Sequence, residues 1–223
     1  METVATVLRS GGDFEPWHVK MMQRQVLKHS PVGTEFVCLS DMDIPGVQTI
    51  PLVNQWPGWW AKIELFDPAL GLGSFLFTDL DNVITGPLDD ILAVQGGYIC
   101  QEGGWTALMR VPSQRWPEPR LNLYDLFCSE PSFYMRKYAS APDGVPFGDA
   151  GFINEYLKGA AWEDLLPGQV TNIVDLFGSP VGLKPMLPRP QHVPENTRVL
   201  LFGGANRRPW KLPGFRRLYG EDV

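Results

Sequence analysis

Short apolar runs alternate with amphipathic stretches in the first half of this chain. Apolar residues dominate 4–9, 35–39 and 47–53, and each run has strand length and is followed by polar or turn-forming residues. Between the first two runs, residues 15–29 carry apolar side chains at helical spacing, which predicts a helix packed on one face. A shorter helix is predicted at 59–66. This alternation predicts a mostly parallel sheet covered by helices on both faces.

The second half of the chain is less regular and is rich in Pro and Gly. Its hydrophobic pattern predicts three further strands and two further helices, the first helix being interrupted near Pro131. The predicted strands cover 98–100, 106–109 and 199–202, and the predicted helices cover 121–138 and 147–157. A length of 223 residues suits one domain, so we predict a single α/β domain over 1–223.

Two aspartates follow the buried run Phe75-Leu76-Phe77 with one residue between them. Side chains at i and i+2 of an extended backbone point the same way, so Asp79 and Asp81 are predicted to lie on one side of a strand end. Two carboxylates this close repel each other unless a cation lies between them or one keeps its proton. Mg²⁺ and Mn²⁺ favour carboxylate and phosphate oxygens, which predicts a metal and diphosphate site. A turn opened by Asp and Asn is the structural alternative.

Other polar residues fall at the ends of the predicted strands. Arg9 and Ser10 end the first strand, and Asp41 follows the second. Ligands of open α/β sheets bind beyond the carboxyl ends of the strands, where Asp79 and Asp81 also lie. The sequence therefore predicts that these five residues share one site.

Composition narrows the classes of function. The net charge of −6 and pI near 5.1 argue against broad nucleic-acid binding, which rests on Lys and Arg neutralising phosphates. The sequence has no run of about 18 apolar residues, so no transmembrane helix is expected. The N-terminus lacks a basic region ahead of a long apolar run, and the three cysteines have no metal-ligand spacing, so a cytoplasmic protein is expected. Eight tryptophans offer aromatic faces that suit sugars or bases.

The order of four short blocks resembles that of GT-A-fold glycosyltransferases, particularly glycogenin-like and bacterial lipopolysaccharide galactosyltransferase-like (family 8-like) enzymes. The resemblance covers about two-thirds of the chain as an order of blocks. The blocks are a helix before the metal motif, the Asp-X-Asp strand with its following turn, an acidic helix start, and a C-terminal Pro-Trp segment. They correspond to 59–65, 77–91, 147–154 and 202–210.

The resemblance implies a role for individual residues. Lys62 would lie near the nucleotide, and Asp149 would face the donor sugar and the acceptor. Arg208 stands in the place of a diphosphate-binding lysine, and Trp210 belongs to the same segment. Glu102, in a Gly-flanked loop, is a weaker candidate for contact with donor or acceptor. The resemblance divides the domain into a nucleotide-sugar half, 1–95, and an acceptor half, 96–223.

Three positions depart from the family pattern. A C-terminal histidine, the third metal ligand, is absent, and Phe202 or Gly203 falls there instead. Ala150 replaces the glutamine that usually follows the acidic residue. Trp105 begins a segment that replaces the usual Asn-Ser-Gly or Asn-Ser-Ser.

We predict a glycosyltransferase that moves a sugar from a nucleoside-diphosphate sugar, a UDP-sugar by resemblance, to an unknown acceptor. Asp149 and Glu102 are the predicted catalytic residues, and Asp79 and Asp81 would hold Mn²⁺ or Mg²⁺. The predicted donor-binding residues are Arg9, Ser10, Asp41, Lys62, Arg208 and Trp210. The acceptor would be a glycan, a lipid-linked glycan or, against the acidic charge, a modified nucleic acid. The resemblance implies retention of anomeric configuration.

Two other functions stay open from sequence. A HAD-type phosphatase also places Asp-X-Asp after an apolar strand, with Asp79 as nucleophile and Asp81 as general acid and base. That fold normally opens with this strand, whereas several elements precede it here. A GT-A-like domain that binds sugars or nucleotides without turnover is the second alternative, because a fold does not establish an activity.

Overall fold

The computed structural model describes residues 2–113, 122–142, 144–177, 193–203, 208–212 and 215–219. Its first half alternates strands with helices. These elements are β1 (Thr3–Leu8), α1 (Pro16–His29), β2 (Glu35–Ser40), β3 (Gln48–Pro51), the 3₁₀ helices Gly58–Phe66 and Pro68–Leu70, β4 (Phe75–Thr78), β5 (Val83–Ile84) and α2 (Asp89–Ala93). The predicted strands at 4–9, 35–39 and 47–53 and the predicted helix at 15–29 are therefore confirmed, with ends shifted by at most two residues.

Shorter elements make up the second half. They are β6 (Ile99–Cys100), the 3₁₀ turn Glu102–Gly104, β7 (Leu108–Val111), α3 (Leu123–Ser129), α4 (Pro131–Lys137), α5 (Gly148–Tyr156), β8 (Ala160–Ala161), α6 (Trp162–Leu165), β9 (Val170–Asn172), α7 (Ile173–Phe177), β10 (Val199–Leu201), the 3₁₀ turn Pro209–Lys211 and α8 (Arg216–Tyr219). The helix predicted at 121–138 is interrupted at Glu130, as expected before Pro131. Residue 121 lies outside the described residues.

Seven strands form the main sheet, in the order β3-β2-β1-β4-β7-β6-β8. The first four are parallel, so their carboxyl ends meet at one edge. Strand β7 runs antiparallel to β4 and begins at the edge where β4 ends, since Leu108 pairs with Thr78. The predicted mostly parallel α/β sheet is confirmed. Because β7 pairs with β4, the sheet takes strands from both 1–95 and 96–223, and the functional division between these halves stays a prediction.

Helices cover both faces of this sheet. Along β1, Val4 and Leu8 pack on the face that α1 covers, whereas Ala5 faces the other side. Pro16 begins α1 with the fixed φ that a first helical turn needs, and the Nδ1 atom of His18 accepts a hydrogen bond from the Glu15 amide at 2.8 Å. The opposite face is covered by the 3₁₀ helix Gly58–Phe66 with α3, α4 and α5.

Two local predictions need correction. The helix expected at 59–66 is a 3₁₀ helix, with three residues per turn instead of 3.6. The strand expected at 106–109 begins at Leu108, because the Ala107 amide donates to the Gln101 side chain at 3.1 Å instead of to β4. The Ala107 carbonyl oxygen accepts hydrogen bonds from the Asp79 backbone amide and from the Asn82 side-chain amide, both at 2.8 Å. These bonds join the start of β7 to the turn that follows β4.

A second sheet of three short strands, β5-β10-β9, extends the fold beyond the Asp-X-Asp turn. The strand predicted at 199–202 is found there as β10, which runs antiparallel to β5 and parallel to β9. A separate apolar cluster, which includes Val83, Leu200, Phe202 and Phe215, is buried beneath these strands.

We expect Phe152→Ala to lower the free energy of unfolding by about 3–5 kcal/mol, because it would leave a cavity that its neighbours cannot fill. Phe152 is fully buried on α5, with its ring 5.0 Å from those of Phe127 and Tyr134. Urea unfolding checks this value. Phe133→Ala, which removes a ring that is 46% exposed, is the matched control and should change stability much less. Equal effects of the two substitutions would contradict this account of the core.

Candidate active site

Asp79 and Asp81 lie in a tight turn at the end of β4. The strand stops at Thr78, so the two carboxylates do not continue an extended strand as the sequence predicted. The turn closes through the Asn82 amide, which donates to the Asp79 carbonyl at 3.3 Å. The side-chain amide of Asn82 also donates to the Thr78 hydroxyl at 3.0 Å. The backbone amide and the side chain of Asn82 therefore both stabilise the turn, in which Asp81 is almost completely buried.

Lys62 joins Asp79 to a carboxylate from a different part of the chain. Its ammonium nitrogen lies 3.1 Å from Asp79 Oδ1 and 2.8 Å from Asp149 Oδ2. It also lies 3.4 Å from the Thr106 hydroxyl oxygen and 4.8 Å from the centre of the Phe77 ring. Burial alone would lower the pKa of Lys62, but the carboxylates of Asp149 and Asp79 outweigh it and raise the pKa. Lys62 is therefore a buried, permanently charged bridge.

Asp149 reaches this bridge from the first turn of α5. Gly148 begins the helix with a φ of +63°, a conformation that favours glycine, and so turns the chain into the site. The Thr106 hydroxyl donates to Asp149 Oδ2 at 3.1 Å. Asp149 is 6% exposed, so its carboxylate is held by Lys62 and Thr106 with little access to water. The sequence missed Thr106, since a lone threonine before a strand carries no chemical signal.

Arg208 provides a second cation, on the other side of the turn. Its guanidinium donates to the Asp81 carboxylate and lies 3.6 Å from Asp13 Oδ2. The guanidinium carbon lies 4.5 Å from the centre of the Phe14 ring and 5.9 Å from that of Trp210. These rings hold Arg208 against the carboxylate by packing and by cation–π attraction. The sequence missed the contribution of Asp13 and Phe14.

The ionised forms of the two Asp-X-Asp carboxylates are disfavoured despite these cations. Burial, followed by the charge of Asp79, raises the pKa of Asp81 to about 7, although Arg208 opposes the shift. Burial also raises the pKa of Asp79, and Lys62 opposes that shift. Three carboxylates, those of Asp79, Asp81 and Asp149, meet only the two cations Lys62 and Arg208 in this cluster. The cluster therefore has an excess of one negative charge among the described residues when all five groups are ionised.

Arg9, Ser10 and Asp41 form a group of their own at the carboxyl ends of β1 and β2. The Ser10 amide and hydroxyl both donate to the Asp41 carboxylate, the amide at 2.9 Å, and Arg9 lies 3.5 Å from it. Arg9 also donates to the side chain of Gln55 at 2.7 Å. Burial would raise the pKa of Asp41, but the Ser10 bonds and the Arg9 charge lower it overall. Asp41 is therefore a fixed anion with adjacent donors.

Two further predicted site residues lie away from the carboxylate cluster. Glu102 is exposed in the 3₁₀ turn Glu102–Gly104, where its backbone amide donates to the Glu163 carboxylate at 2.8 Å. No contact in the described part of the chain joins the Glu102 carboxylate to the cluster. Trp210 lies one layer behind Arg208, packed against the rings of Phe14 and His18 at 5.7 and 4.2 Å. The catalytic role of Glu102 and the donor-binding role of Trp210 stay predictions.

The C-terminal segment is tied to the Asp-X-Asp turn. The Tyr219 hydroxyl donates to the Leu80 carbonyl at 2.6 Å, between the two aspartates in sequence. The Gln25 side chain accepts from the Ile84 amide at 2.8 Å and donates to the Tyr219 carbonyl at 3.3 Å. Buried hydrogen bonds thus join helix α1, the Asp-X-Asp turn with β5, and α8. Residues 204–207 of the predicted C-terminal block lie outside the described residues.

Comparison with solved structures gives the fold its name. The chain matches, over 99% of its length, the apo form of the glycosyltransferase GlyE of Streptococcus pneumoniae TIGR4, with a TM-score of 0.64 and 15% identity. It matches, over 98% of its length, the galactosyltransferase LgtC in complex with donor and acceptor sugar analogues, with a TM-score of 0.62 and 12% identity. The chain has the GT-A fold.

The GT-A fold that the sequence predicted is thus confirmed. The bifunctional glycosyltransferase WbbM also matches, with a TM-score of 0.57 and 11% identity over 99% of this chain. The chain covers 95% of LgtC, but only 59% of GlyE and 50% of WbbM. No protein-family model and no curated protein matches the sequence.

Two features are absent from the described part of the GT-A domain. Across the described ranges, no three His, Cys, Asp or Glu side chains come together as a set of metal ligands. None of the helices in those same ranges has the length and apolar character needed to cross a bilayer.

Lys62→Met is expected to destabilise the protein by about 3–5 kcal/mol, because it leaves the buried Asp149 carboxylate and the partly exposed Asp79 carboxylate without their cation. Adding Asp149→Asn should recover part of this loss, since a neutral amide needs no countercharge. Urea unfolding of both single variants and the double variant measures the coupling. Lys137→Met removes a cation that pairs with Glu155 at the surface and should have a much smaller effect. Equal, additive effects of the two site substitutions would contradict the bridge.

His18 should make stability depend on pH. Burial holds its pKa down at about 4, with a smaller contribution from the Arg208 charge, and its Nε2 atom is buried without a partner among the described residues. An unfolded histidine titrates near 6.5, so the unfolded chain binds more protons between pH 6.5 and 4. His18 therefore contributes stability in full above pH 6.5, and about 3 kcal/mol of it should be lost as the pH falls to 4.

Urea unfolding of the wild type and His18→Gln at several pH values isolates this effect, because other titrating groups are common to both proteins. The stability difference between them should change by that amount between pH 7 and pH 4. A difference that is independent of pH would contradict the buried, neutral state of His18.

Proposed function

We propose that this chain is a glycosyltransferase that uses a nucleoside-diphosphate sugar. The observation that carries the proposal is the Asp79–Asp81 turn at the edge of a GT-A sheet, with two cations and a third carboxylate gathered around it. Fold alone does not establish activity, but these residues supply the charges that transfer from a diphosphate needs. The glycosyltransferases with the same fold support the proposal.

The donor would lie along the carboxyl edge of β1, β2 and β4. Asp41, with Ser10 and Arg9 bonded to it, would accept hydrogen bonds from the nucleoside. Arg208 would bind the diphosphate through charge-assisted hydrogen bonds. Its contact with Asp81 places it at the carboxylate turn. A UDP-sugar is the donor we propose, on the resemblance.

The residues present fit a divalent metal. Asp79 and Asp81 offer hard carboxylate oxygens, and Mg²⁺ is commonly held by one or two carboxylates together with substrate phosphates. The excess negative charge of the cluster would repel a diphosphate unless a further cation were present. Mn²⁺ or Mg²⁺ held by Asp79 and Asp81 would stabilise the charge that develops on the leaving diphosphate. The set lacks the family's histidine, since Phe202 is buried and Gly203 carries no ligand.

Asp149 would act on the sugar. Lys62 and the Thr106 hydroxyl hold its carboxylate in place beside the diphosphate site. A fixed carboxylate orients the sugar hydroxyls or stabilises the positive charge of an oxocarbenium-like transition state. Lys62 would then act as a positioning residue for Asp79 and Asp149, in addition to the donor contact that the resemblance implies.

In the proposed transfer, the bond between the anomeric carbon and the diphosphate breaks, and its electron pair leaves with the diphosphate. The acceptor oxygen bonds to the anomeric carbon, and the acceptor proton passes to the diphosphate or to water. Retention of anomeric configuration is our proposal from the resemblance. The anomeric proton coupling in the NMR spectrum of the product distinguishes it from inversion.

The HAD-type alternative has lost its structural basis. Its aspartates would follow the opening strand of the fold, whereas β4 comes after three parallel strands and the sheet is of GT-A type. A GT-A-like domain that binds without turnover would show the binding described below but release no nucleoside diphosphate.

The deciding experiment is thermal unfolding with a panel of nucleotides and nucleotide sugars, with and without Mn²⁺. At a concentration 100 times its Kd, a ligand stabilises the folded state by about 2.7 kcal/mol, which is about 5–10 °C in Tm for a chain of this size. We expect a Mn²⁺-dependent rise with a uridine nucleotide, lost in Asp81→Asn. Asp43→Asn, which alters an exposed aspartate in the loop after β2, is the matched control and should keep the rise.

Turnover is tested separately by the release of nucleoside diphosphate from the bound nucleotide sugar. No shift with any nucleotide in the panel would refute the proposed donor site. A shift that Asp81→Asn retains would remove the Asp-X-Asp turn from it.

A further inference from the structure

Three aromatic rings lie together at the surface beside the carboxylate cluster. Trp59 is 53% exposed and Phe147 is 40% exposed, while Trp105 is half-buried. The Phe147 ring meets the other two edge to face, with centroids 6.0 Å from Trp59 and 6.1 Å from Trp105. Contiguous exposed aromatic surface of this kind is a feature of ligand sites in soluble proteins. We call these three residues the aromatic patch.

Each ring lies within three residues, along the chain, of one of the bonded side chains Lys62, Thr106 and Asp149. Trp59 lies three residues before Lys62 in a 3₁₀ helix, where side chains at i and i+3 are aligned. Trp105 directly precedes Thr106, and Phe147 lies two residues before Asp149. Three segments that are distant in sequence therefore each bring one polar group to the cluster and one ring to the patch. The patch and the proposed reaction centre are thus parts of one surface.

The backbone is built to hold the patch in place. Gly148 adopts a φ of +63°, and a Cβ atom at this position would lie 2.5 Å from Nε1 of Trp59. The indole of Trp59 can therefore lie directly against the start of α5 only because residue 148 is glycine. The rings are fixed before any ligand binds, which reduces the entropy lost on binding.

The patch lies on the opposite side of the Asp-X-Asp turn from the proposed nucleoside site. Arg9 and Asp41 follow β1 and β2, which lie on one side of β4 in the sheet. Thr106 precedes β7, which lies on the other side of β4, and its hydroxyl meets Lys62 and Asp149. A donor bound along β1, β2 and β4 would leave the patch free to receive the second substrate.

We propose that the aromatic patch is the acceptor subsite and that it binds a pyranose ring of a carbohydrate acceptor. The proposal rests on the glycosyltransferase function proposed above and names its acceptor class. The C–H face of a pyranose would stack on Trp59 and Phe147, and its hydroxyl groups would turn toward Asp149. Transfer then joins the acceptor hydroxyl oxygen to the anomeric carbon as the diphosphate leaves, with the proton balance given above.

The chemistry of the surface favours a sugar over the other acceptor classes. A pyranose carries an apolar face and polar edges, and the aromatic patch beside a carboxylate cluster offers both kinds of partner. A nucleic acid would bring phosphates toward a cluster with excess negative charge on a chain whose net charge is −6. An acyl chain would gain nothing from the polar groups beside the rings.

The test measures acceptor use and binding in three variants, Trp59→Leu, Trp105→Leu and Phe147→Leu. Transfer is assayed from the nucleotide sugar found by thermal unfolding to a panel of methyl pyranosides and disaccharides, with donor hydrolysis by water as the second readout. We expect KM for the best saccharide to rise about fivefold to tenfold in Trp59→Leu and Phe147→Leu, because each substitution removes one aromatic contact with the sugar. The rate of donor hydrolysis should stay within twofold of the wild-type rate, because the contacts of these rings in the structure are with each other and not with Arg9, Asp41 or Arg208.

Phe133→Leu is the matched control, since it removes an exposed phenylalanine of similar accessibility from α4. It should change neither KM nor hydrolysis. Fluorescence titration of the wild type and Trp59→Leu with the same saccharide, in the presence of nucleoside diphosphate and Mn²⁺, measures binding directly. The expected quenching or shift of tryptophan emission should be weakened in the variant by the same factor as KM.

Unchanged saccharide KM and binding in all three variants would overturn the subsite. Donor hydrolysis with no saccharide of the panel accepted or bound would overturn the acceptor class while leaving the proposed function intact. Preferred transfer to a DNA oligonucleotide or to a lipid vesicle would likewise overturn it. If no nucleotide binds, the proposed function fails, and saccharide binding that Trp59→Leu weakens would still support the patch as a carbohydrate site.

Discussion

The rest of the structure depends on three carboxylates gathered at one edge of the sheet, two of them buried and that of Asp79 partly exposed. Like charges in a low-dielectric environment are tolerated only where cations and hydrogen-bond donors are fixed beside them. Lys62 serves Asp79 and Asp149 together, and Arg208 serves Asp81. Each cation comes from a different part of the chain, so the charges also fix how the 3₁₀ helix, α5 and the C-terminal segment are arranged around β4. Stability and the proposed chemistry are therefore coupled at this point.

The main sheet could be predicted because its strands are short apolar runs separated by polar turns, and α1 because its apolar residues recur at helical spacing. Sequence reasoning missed several of the shortest elements, although it predicted the short strands β3, β6 and β10. Strands β5, β8 and β9 are too short for any periodicity, and they form through pairing with distant partners. The later start of β7 also depends on a contact that the sequence pattern does not show, because the Ala107 amide donates to the Gln101 side chain instead of to β4.

The candidate site was predictable as a set of residues but not as a set of contacts. Asp79 and Asp81 carry their own signal, and the order of motifs pointed to Lys62 and Asp149. Nothing in the sequence indicates that Lys62 lies between two carboxylates that are far apart in the chain. Thr106 could not be found for a similar reason, since its role comes only from the position of its hydroxyl. Propensity is local, whereas charge compensation is decided by the folded arrangement.

The bond from the Tyr219 hydroxyl to the Leu80 carbonyl has a consequence for synthesis. Strand β4 and the Asp-X-Asp turn leave the ribosome well before Arg208 and Tyr219 do, and a domain generally folds as a unit. During that interval the turn lacks both the cation on Asp81 and the donor on Leu80. The centre can therefore be completed only after the segment that carries Arg208 and α8 has been synthesised.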